Sequence, residues 1–480
     1  MASDPGSSES KSSPPSAWAP GNRALTLGLI LTVAGAAFEA LAVATTLPTM
    51  VDDLGGLALY GWAFSAFMLT NLVGTTIAGG EADQHGPARP FIAGVVLFSL
   101  GLVVAGFAPT MPIVIAGRAV QGLGAGAIGA IAYVVVGRGY PESARPHMLA
   151  LLSSAWVVPG LIGPALAGLI ADYAGWRWVF LGLAPLTPLA AALALPALRR
   201  FGGAGNARRD WSRVRAALRL TFGVGLVVAG LGLDTFAVAI GPVVVGTALA
   251  LPALRGLLPA GTLRAAPGLP AALATGGLLN FAFFGVDAFV PLAITSGRGQ
   301  SATVGGLALT AATIAWSSAA WVQAHLASRQ SRRTLVIGGL LLVALGIGGV
   351  LAGLVPAVPV VLLPLAWGVA GLGMGFAYST TTLVILERAP PGEEGAASAA
   401  LQLLNGLGIA LGTGLGGVVI AAVVDRGRRP SSGIAIQGVL MLALIALAVW
   451  TATRLPAQPT RAPEATGHAA ENEVARAQPL

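Results

Sequence analysis

The chain has 480 residues, of which 55% are hydrophobic and 10% charged, with a mean hydropathy of +0.80. A soluble globular chain carries about 25% charged residues, so an ordinary cytosolic enzyme is excluded. The formal net charge of +8 comes from arginines that fall between apolar runs and build no basic face, which argues against nucleic acid as a partner and for a record of membrane topology.

The chain has no Cys, which excludes disulfides, Cys-ligated zinc and iron–sulfur clusters. His85, His147, His325 and His468 are scattered without ligand spacing, so no metal or other cofactor is expected. Lys11 is the one lysine, and without a second the GxxxxGK phosphate loop of an ATP-driven pump is absent from this chain.

Residues 1–22, rich in Ser and Pro, read as a disordered cytoplasmic tail and not as a cleaved signal peptide. Six apolar stretches follow, near 24–47, 57–79, 90–108, 111–136, 147–171 and 177–198. At about 20 residues per span, they predict a six-helix N-terminal bundle over 23–198. A basic cytoplasmic linker is expected over 199–219, where Arg199, Arg200, Arg208, Arg209, Arg213, Arg215 and Arg219 stand against the single acid Asp210. Two extra spans, near 220–235 and 237–257, lead to a C-terminal six-helix bundle over 258–454. Its stretches lie near 269–295, 303–326, 334–354, 358–386, 397–424 and 434–453, and residues 455–480 read as a second disordered cytoplasmic tail. The expected fold is an all-α polytopic membrane protein of fourteen spans.

Cytoplasmic loops carry the excess of Lys and Arg. With the N-terminus inside, 21 of the 27 basic residues fall on the cytoplasmic side and Arg118 lies within the membrane. Arg177, Arg298, Arg426, Arg428 and Arg429 fall outside, and the basic loop 425–433 is the exception to the bias. The expectation is a multi-pass protein of the inner cell membrane, surrounded by lipid bilayer, with both termini cytoplasmic.

An internal repeat supports this count. Gly122-Leu123-Gly124-Ala125-Gly126 in the fourth span recurs as Gly371-Leu372-Gly373-Met374-Gly375 in the twelfth. The loop Asp83 to Arg89 after span two has a degenerate counterpart, Ser328 to Arg333, after span ten. The chain reads as two homologous halves with two helices added between them. Parallel half-repeats of six helices, with a site near the midplane between them, are one arrangement of secondary transporters.

Four segments carry a closer likeness. The loop Gly79-Gly80-Glu81-Ala82-Asp83-Gln84-His85-Gly86-Pro87-Ala88-Arg89 has the Gly, Asp, Gly and Arg of a transporter loop motif, with Gln84 where Arg or Lys is usual. Arg118-Ala119-Val120-Gln121-Gly122-Leu123-Gly124 is similar to an RxxQGxG pattern. Gly160-Leu161-Ile162-Gly163-Pro164-Ala165-Leu166-Ala167-Gly168 is similar to a motif associated with antiporters. Glu39 followed by Leu47-Pro48 is similar to the signature D-x-T-x-x-N-x-x-L-P, with Glu39, Leu41 and Ala44 in place of Asp, Thr and Asn. Over about 24–453 the chain thus resembles the major facilitator superfamily, specifically its fourteen-span drug:proton antiporter branch.

The resemblance implies the major facilitator fold, two six-helix bundles plus two extra transmembrane helices, working as a monomer. It implies a part in proton coupling for Arg118. For Gly160, Gly163, Pro164 and Gly168 it implies a hinge that seals the outer side of a cavity. Asp83, Gly86 and Arg89 are expected to act as a conformational switch: Asp83 at the positive end of a neighbouring helix and Arg89 on a carboxylate or phospholipid, latching one state from inside.

An Asp, Lys or Arg inside a span costs about 2.5–3.5 kcal/mol on insertion scales, so each needs a reason. Glu39 lies in the middle of span one, where desolvation favours the neutral form of a carboxyl and a cation or water the ionised form. That is the behaviour of a proton carrier; the alternative is permanent pairing with Arg118, whose guanidinium stays protonated. The position matching Arg118 in the second half is Trp367. Asp287 lies in the approximate counterpart of span one, and helical spacing puts Asn280, Phe283 and Phe284 on its face. It either joins the coupling site opposite Glu39 or sits in water at the outer helix end. Asp234 reads as a solvated interfacial acid. Candidate cavity residues are Asn71, Gln121, Trp156, Asn280, Phe284, Trp316, Trp321, Gln323, Tyr378, Gln402 and Asn405, whereas Trp18, Trp176, Trp178 and Trp450 read as interfacial anchors.

The expected function is proton-coupled export of small lipophilic compounds, cations among them, by alternating-access antiport of the multidrug-efflux type, with no covalent chemistry and so no enzyme. A carboxylate that holds a proton or a cation, but not both, exchanges them by competition. Antiport over symport rests on the span-five resemblance alone. The alternatives are an exporter of an endogenous lipid or metabolite and a nutrient uniporter or symporter, which would carry more polar residues along its helices. A receptor or scaffold would instead lack the intramembrane charges or add a large soluble domain.

Overall fold

The computed structural model describes residues 18, 22–203, 210–233, 235–326 and 329–457. Asp234, the greater part of both tails and the centre of the basic linker lie outside the described residues. Among the described residues fifteen α-helices follow in order: α1 (Arg23–Leu54), α2 (Tyr60–His85), α3 (Ala88–Gly106), α4 (Met111–Gly139), α5 (Arg145–Tyr173), α6 (Arg177–Leu198), α7 (Trp211–Leu231), α8 (Phe236–Leu257), α9 (Leu269–Asp287), α10 (Val290–Arg298), α11 (Ala302–Leu326), α12 (Arg332–Gly353), α13 (Leu362–Arg388), α14 (Glu394–Val424) and α15 (Pro430–Ala452). Among the described residues, 14 segments are long and apolar enough to cross a membrane, with α9 and α10 together forming one of them. Helices suit that setting because they satisfy every backbone polar group within the segment.

Two differences from the expected spans have local causes. The ninth span is not one helix, because Pro291 has no N–H and its ring clashes with the carbonyl four residues back, that of Asp287. The seventh begins at Trp211, so the second part of the expected linker is helical. Asp210 caps it, accepting from the backbone N–H groups of Ser212 at 3.0 Å and Arg213 at 3.4 Å. The Ser212 hydroxyl first, and then these amides, hold the Asp210 carboxyl below the usual carboxylate range.

Without a hydrophobic drive between helices in lipid, close packing falls to small residues. A Cβ on Gly122 would sit 2.3 Å from the Phe67 carbonyl of α2, and one on Gly124 2.4 Å from the Phe98 nitrogen of α3. In the second half, Gly371 approaches the Ala312 carbonyl of α11 to 2.1 Å and Gly373 the Gly339 carbonyl of α12 to 2.5 Å by the same measure. The sequence repeat is therefore a repeat of packing, with α4 seated on α2 and α3 as α13 is on α11 and α12.

The halves meet at one end. Gly61 at the start of α2 lies against Thr413 and Gly417 of α14, and Gly306 of α11 against Pro164 of α5. The Ser65 hydroxyl donates to the Ala410 carbonyl at 2.6 Å. Asp172 caps α11 from the other half, accepting from the N–H groups of Ala302 at 3.1 Å and Thr303 at 2.9 Å. Towards the opposite end of α2 and α14, a Cβ on Gly79, Gly80 or Gly395 would meet no atom within 4 Å. The added helix α7 lies along α2 and also touches α14, with Thr221 donating to the Leu69 carbonyl at 2.9 Å and Val228 against Gly414. Its partner α8 packs on α7 through the close pair Gly223 and Gly246.

Trp176 departs from the expected role. It is buried, edge-on to Phe180 at 6.1 Å, and donates to Asp53 at 3.1 Å while Arg177 covers it at 4.3 Å. It clamps the ends of α1 and α6 instead of anchoring in lipid. Trp18, Trp178 and Trp450 are exposed.

Candidate functional site

Glu39 and Arg118 come together from α1 and α4 and are 0% and 1% exposed. Arg118 Nη1 donates to Glu39 Oε1 and, at 2.6 Å, to Gln121 Oε1. Its Nε donates to the Ala63 carbonyl at 3.0 Å, and the guanidinium lies 4.2 Å over the Phe67 ring. Among the described residues Glu39 Oε2 and Gln121 Nε2 have no hydrogen-bond partner. Two charges far from water are tolerable only with such geometry and added hydrogen bonds, and breaking such a pair costs about 3–5 kcal/mol. Gln121, expected to line a cavity, is fully buried here with its carbonyl spent on Arg118.

The second half repeats the arrangement with a different donor. Arg118 precedes Gly122 by the same interval that separates Trp367 from Gly371, and Trp367 Nε1 donates to Asp287 Oδ1 at 2.8 Å. Asp287 is half-buried at the end of α9; it is neither stranded in open water nor in contact with Glu39. Each acid lies in its own half, against the fourth helix of that half.

Around Asp287 the aromatic residues form one connected cluster, in which Phe283 and Trp367 are buried. Phe283 stacks on Trp367 at 4.8 Å and meets Phe284 and Trp316 edge-on at 5.2 Å and 5.9 Å. Trp316 continues to Tyr378 at 5.7 Å. Tyr378 joins a polar chain: Asn405 Nδ2 donates to the Tyr378 hydroxyl at 2.9 Å, and Asn280 Nδ2 donates to Asn405 Oδ1 at 2.9 Å. Gln402 is a longer neighbour of Asn405, at 3.4 Å. The structure thus brings Asn280, Phe284, Trp316, Tyr378, Gln402 and Asn405 together from α9, α11, α13 and α14. Asn71 on α2 is half-buried and Trp156 on α5 is exposed, and among the described residues neither side chain hydrogen-bonds or stacks with this cluster. Such a surface suits a lipophilic or cationic guest, because ring faces attract cations and the amides supply directional hydrogen bonds.

Of the expected hinge residues, Gly160, Pro164 and Gly168 lie at the seam between the halves. A Cβ on Gly160 would come 2.6 Å from Thr313 of α11, and one on Gly168 2.7 Å from the Ala302 carbonyl. Gly163 faces the Phe38 ring of α1. Asp83, in the last turn of α2, accepts from Arg138 of α4 in its own half and not from the positive end of a neighbouring helix. Arg89 is exposed, and Gly86, at φ 82, lets the chain turn against Phe201. Among the described residues no three His, Asp or Glu side chains converge as metal ligands would.

Sequence reasoning missed Tyr60, Ser65 and Asp172, which join the halves. Their partners lie 228, 345 and 130 residues away, and no local pattern marks them.

The model of the Major Facilitator Superfamily matches residues 27–413 and 272–478. A protein of Mycobacterium tuberculosis named "Probable multidrug-efflux transporter" is 28% identical over 391 residues, covering 78% of this chain and 82% of its own. Multidrug resistance protein 3 of Bacillus subtilis is 25% identical over 409 residues, covering 82% of this chain and 79% of its own. Among solved structures, a POT family transporter bound to 5-aminolevulinic acid superposes with a TM-score of 0.65 at 16% identity, covering 89% of this chain and 96% of that one. A D-xylose-proton symporter superposes with a TM-score of 0.63 at 14% identity, covering 91% and 98%. These structures share the fold. With fourteen spans, duplicated halves and a family model matched along most of its length, this chain is a multi-pass membrane transporter and belongs to the major facilitator superfamily.

Proposed function

We propose that the protein exports small lipophilic compounds, cations among them, across the inner membrane in exchange for protons, working as a monomer with both termini in the cytoplasm. The observation that supports this best is the duplicated intramembrane acid, Glu39 against Arg118 and Asp287 against Trp367. Asp287 adjoins the aromatic surface, so the group that takes a proton lies beside the surface that takes the guest. A proton and a cationic guest compete for it, and competition alone yields exchange. Glu39, fully buried, changes protonation when alternation of the halves opens its surroundings, and Arg118 opposes that protonation. The names of the multidrug relatives support the same substrate class.

The test is proton release on substrate addition in proteoliposomes with an imposed pH gradient, using lipophilic cations and neutral drugs. The wild type is expected to exchange protons for a cation, while Asp287→Asn and Glu39→Gln bind it but no longer respond to the gradient. Wild-type transport that ignores the gradient overturns the proton coupling. Full gradient-driven transport by one variant removes that acid from the mechanism.

A further inference from the structure

We propose that the Tyr60 hydroxyl transmits the protonation state of Asp287 to the closed seam between the halves. The inference rests on the reading of Asp287 as a proton site given above.

Tyr60 is the first residue of α2, is fully buried, and reaches across to the second half. Its hydroxyl donates to the Ala288 carbonyl at 2.9 Å, and its ring stacks on Phe289 at 5.1 Å and 26°. Ala288 and Phe289 are the two residues that separate α9 from α10, and Asp287 is covalently next to Ala288. The Phe289 ring in turn fills the room above Gly416 of α14, where a Cβ would come within 2.3 Å of it. The junction created by Pro291 is therefore the point at which α2, α9, α10 and α14 meet.

Two hydrogen bonds hold this junction from opposite sides. Trp367 holds Asp287 from within the second half, and Tyr60 holds Ala288 from the first. A hydrogen bond to an ionised acceptor is roughly twice as strong as one to a neutral acceptor. Neutralising Asp287 weakens the Trp367 bond and turns one carboxyl oxygen into a donor that seeks a new partner. The junction then moves, and a shift of about 0.7 Å at Ala288 ends its bond to Tyr60. An ionised Asp287 keeps the seam closed; a proton releases it.

Among the described residues Asp287 is in no ion pair, and Tyr60 is the titratable group that faces it from α2. From α13 it meets the non-titrating Trp367. From α15 the uncharged Gln437 donates to the neighbouring Gly285 carbonyl and to the Gly412 carbonyl of α14. Arg298, at the far end of α10, spends its guanidinium on the carbonyls of Gly353, Val355, Pro356 and Val358.

The chain has no Cys, so one introduced thiol reports on the seam. Ser65→Cys places it beside Ala410 and Thr413, where Ser65 is buried. The full-length protein in oriented vesicles is treated from the outer side with a membrane-impermeant maleimide, and the labelling rate is measured against pH. With Tyr60 present, labelling is expected to rise about tenfold as the pH is lowered, Asp287 is neutralised and the seam opens. Tyr60→Phe keeps the ring and is expected to give fast labelling with little pH dependence. Phe289→Leu, which removes the stack but keeps the hydroxyl, is expected to raise the rate while keeping the pH dependence.

The proposal is overturned if Tyr60→Phe labels as the parent does at every pH, or if it labels faster with an unchanged pH dependence, since the hydroxyl would then carry no signal. Labelling that is pH-independent in the parent and unaltered by Asp287→Asn removes Asp287 as the proton site and the proposal with it. Because labelling needs no transport, these outcomes are distinct from a failure of gradient-driven export.

Discussion

Glu39 and Asp287 occupy matching places in the two halves and differ in what holds them. In the first half the partner is a permanent cation, further fixed by the Ala63 carbonyl, Gln121 and the Phe67 ring. In the second half it is a neutral indole, and the surroundings are rings and amides. A guanidinium opposes protonation of the carboxyl beside it through its charge; an indole N–H offers a hydrogen bond and no opposing charge. The same backbone repeat therefore carries a strongly tied acid and a loosely tied one, and the loosely tied one faces the surface that suits a guest.

The comparison breaks most visibly at Arg118. Arg118→Leu leaves a buried carboxylate with no cation, and the expected loss is about 3–5 kcal/mol, read as thermal unfolding of the purified protein in detergent. Replacing Glu39 by Leu as well is expected to recover most of that loss. If the single variant is as stable as the wild type, the pair is not the tie described here.

Trp367→Phe is the matching change in the second half and is expected to cost less, about 1–3 kcal/mol, because Asp287 is half-buried and water replaces the lost donor. The transport signature matters more. With its only described donor gone, the ionised form of Asp287 loses support, so gradient-driven exchange is expected to shift to higher pH while stability changes modestly. A loss equal to that of Arg118→Leu would show that the halves do not differ in the way proposed.

The smallest effect is expected from Tyr378→Phe, which keeps the ring beside Trp316 and removes the acceptor for Asn405. One hydrogen bond of about 0.5–1.5 kcal/mol changes affinity by roughly two- to tenfold. That change should appear for guests that hydrogen-bond and not for purely apolar ones, in equilibrium binding by intrinsic fluorescence. Equal effects on both classes would mean that Tyr378 acts through packing.

Much of this is legible in the residues themselves. The spans follow from apolar runs between arginines, and the spacing of the duplicated GLGxG segments is enough to align Arg118 with Trp367. The pairing of Glu39 with Arg118 is one of two readings the sequence supports, since an acid and a base in the same membrane half have few other partners. What local pattern does not show is which face of α9 meets α13, or that Pro291 breaks the ninth span at the residue carrying the acid. Nor does it distinguish Trp176 as a clamp from a lipid anchor, or Gln121 as a buried partner of Arg118 from a cavity residue, because burial depends on which helix packs alongside.

Sequence alone determined the fourteen membrane helices, their likeness in two halves, and the presence of an acid in the first span of each. Hydrophobicity and charge act locally along the chain, so composition in a short window suffices to place a helix in lipid. Only the tertiary structure decided that the halves close at one end through Tyr60, Ser65, Gly61 and Asp172, and that one acid faces a cation and the other an indole. Those contacts join residues that are far apart in the chain, and their energies depend on distances of a few ångströms that only the packed helices set.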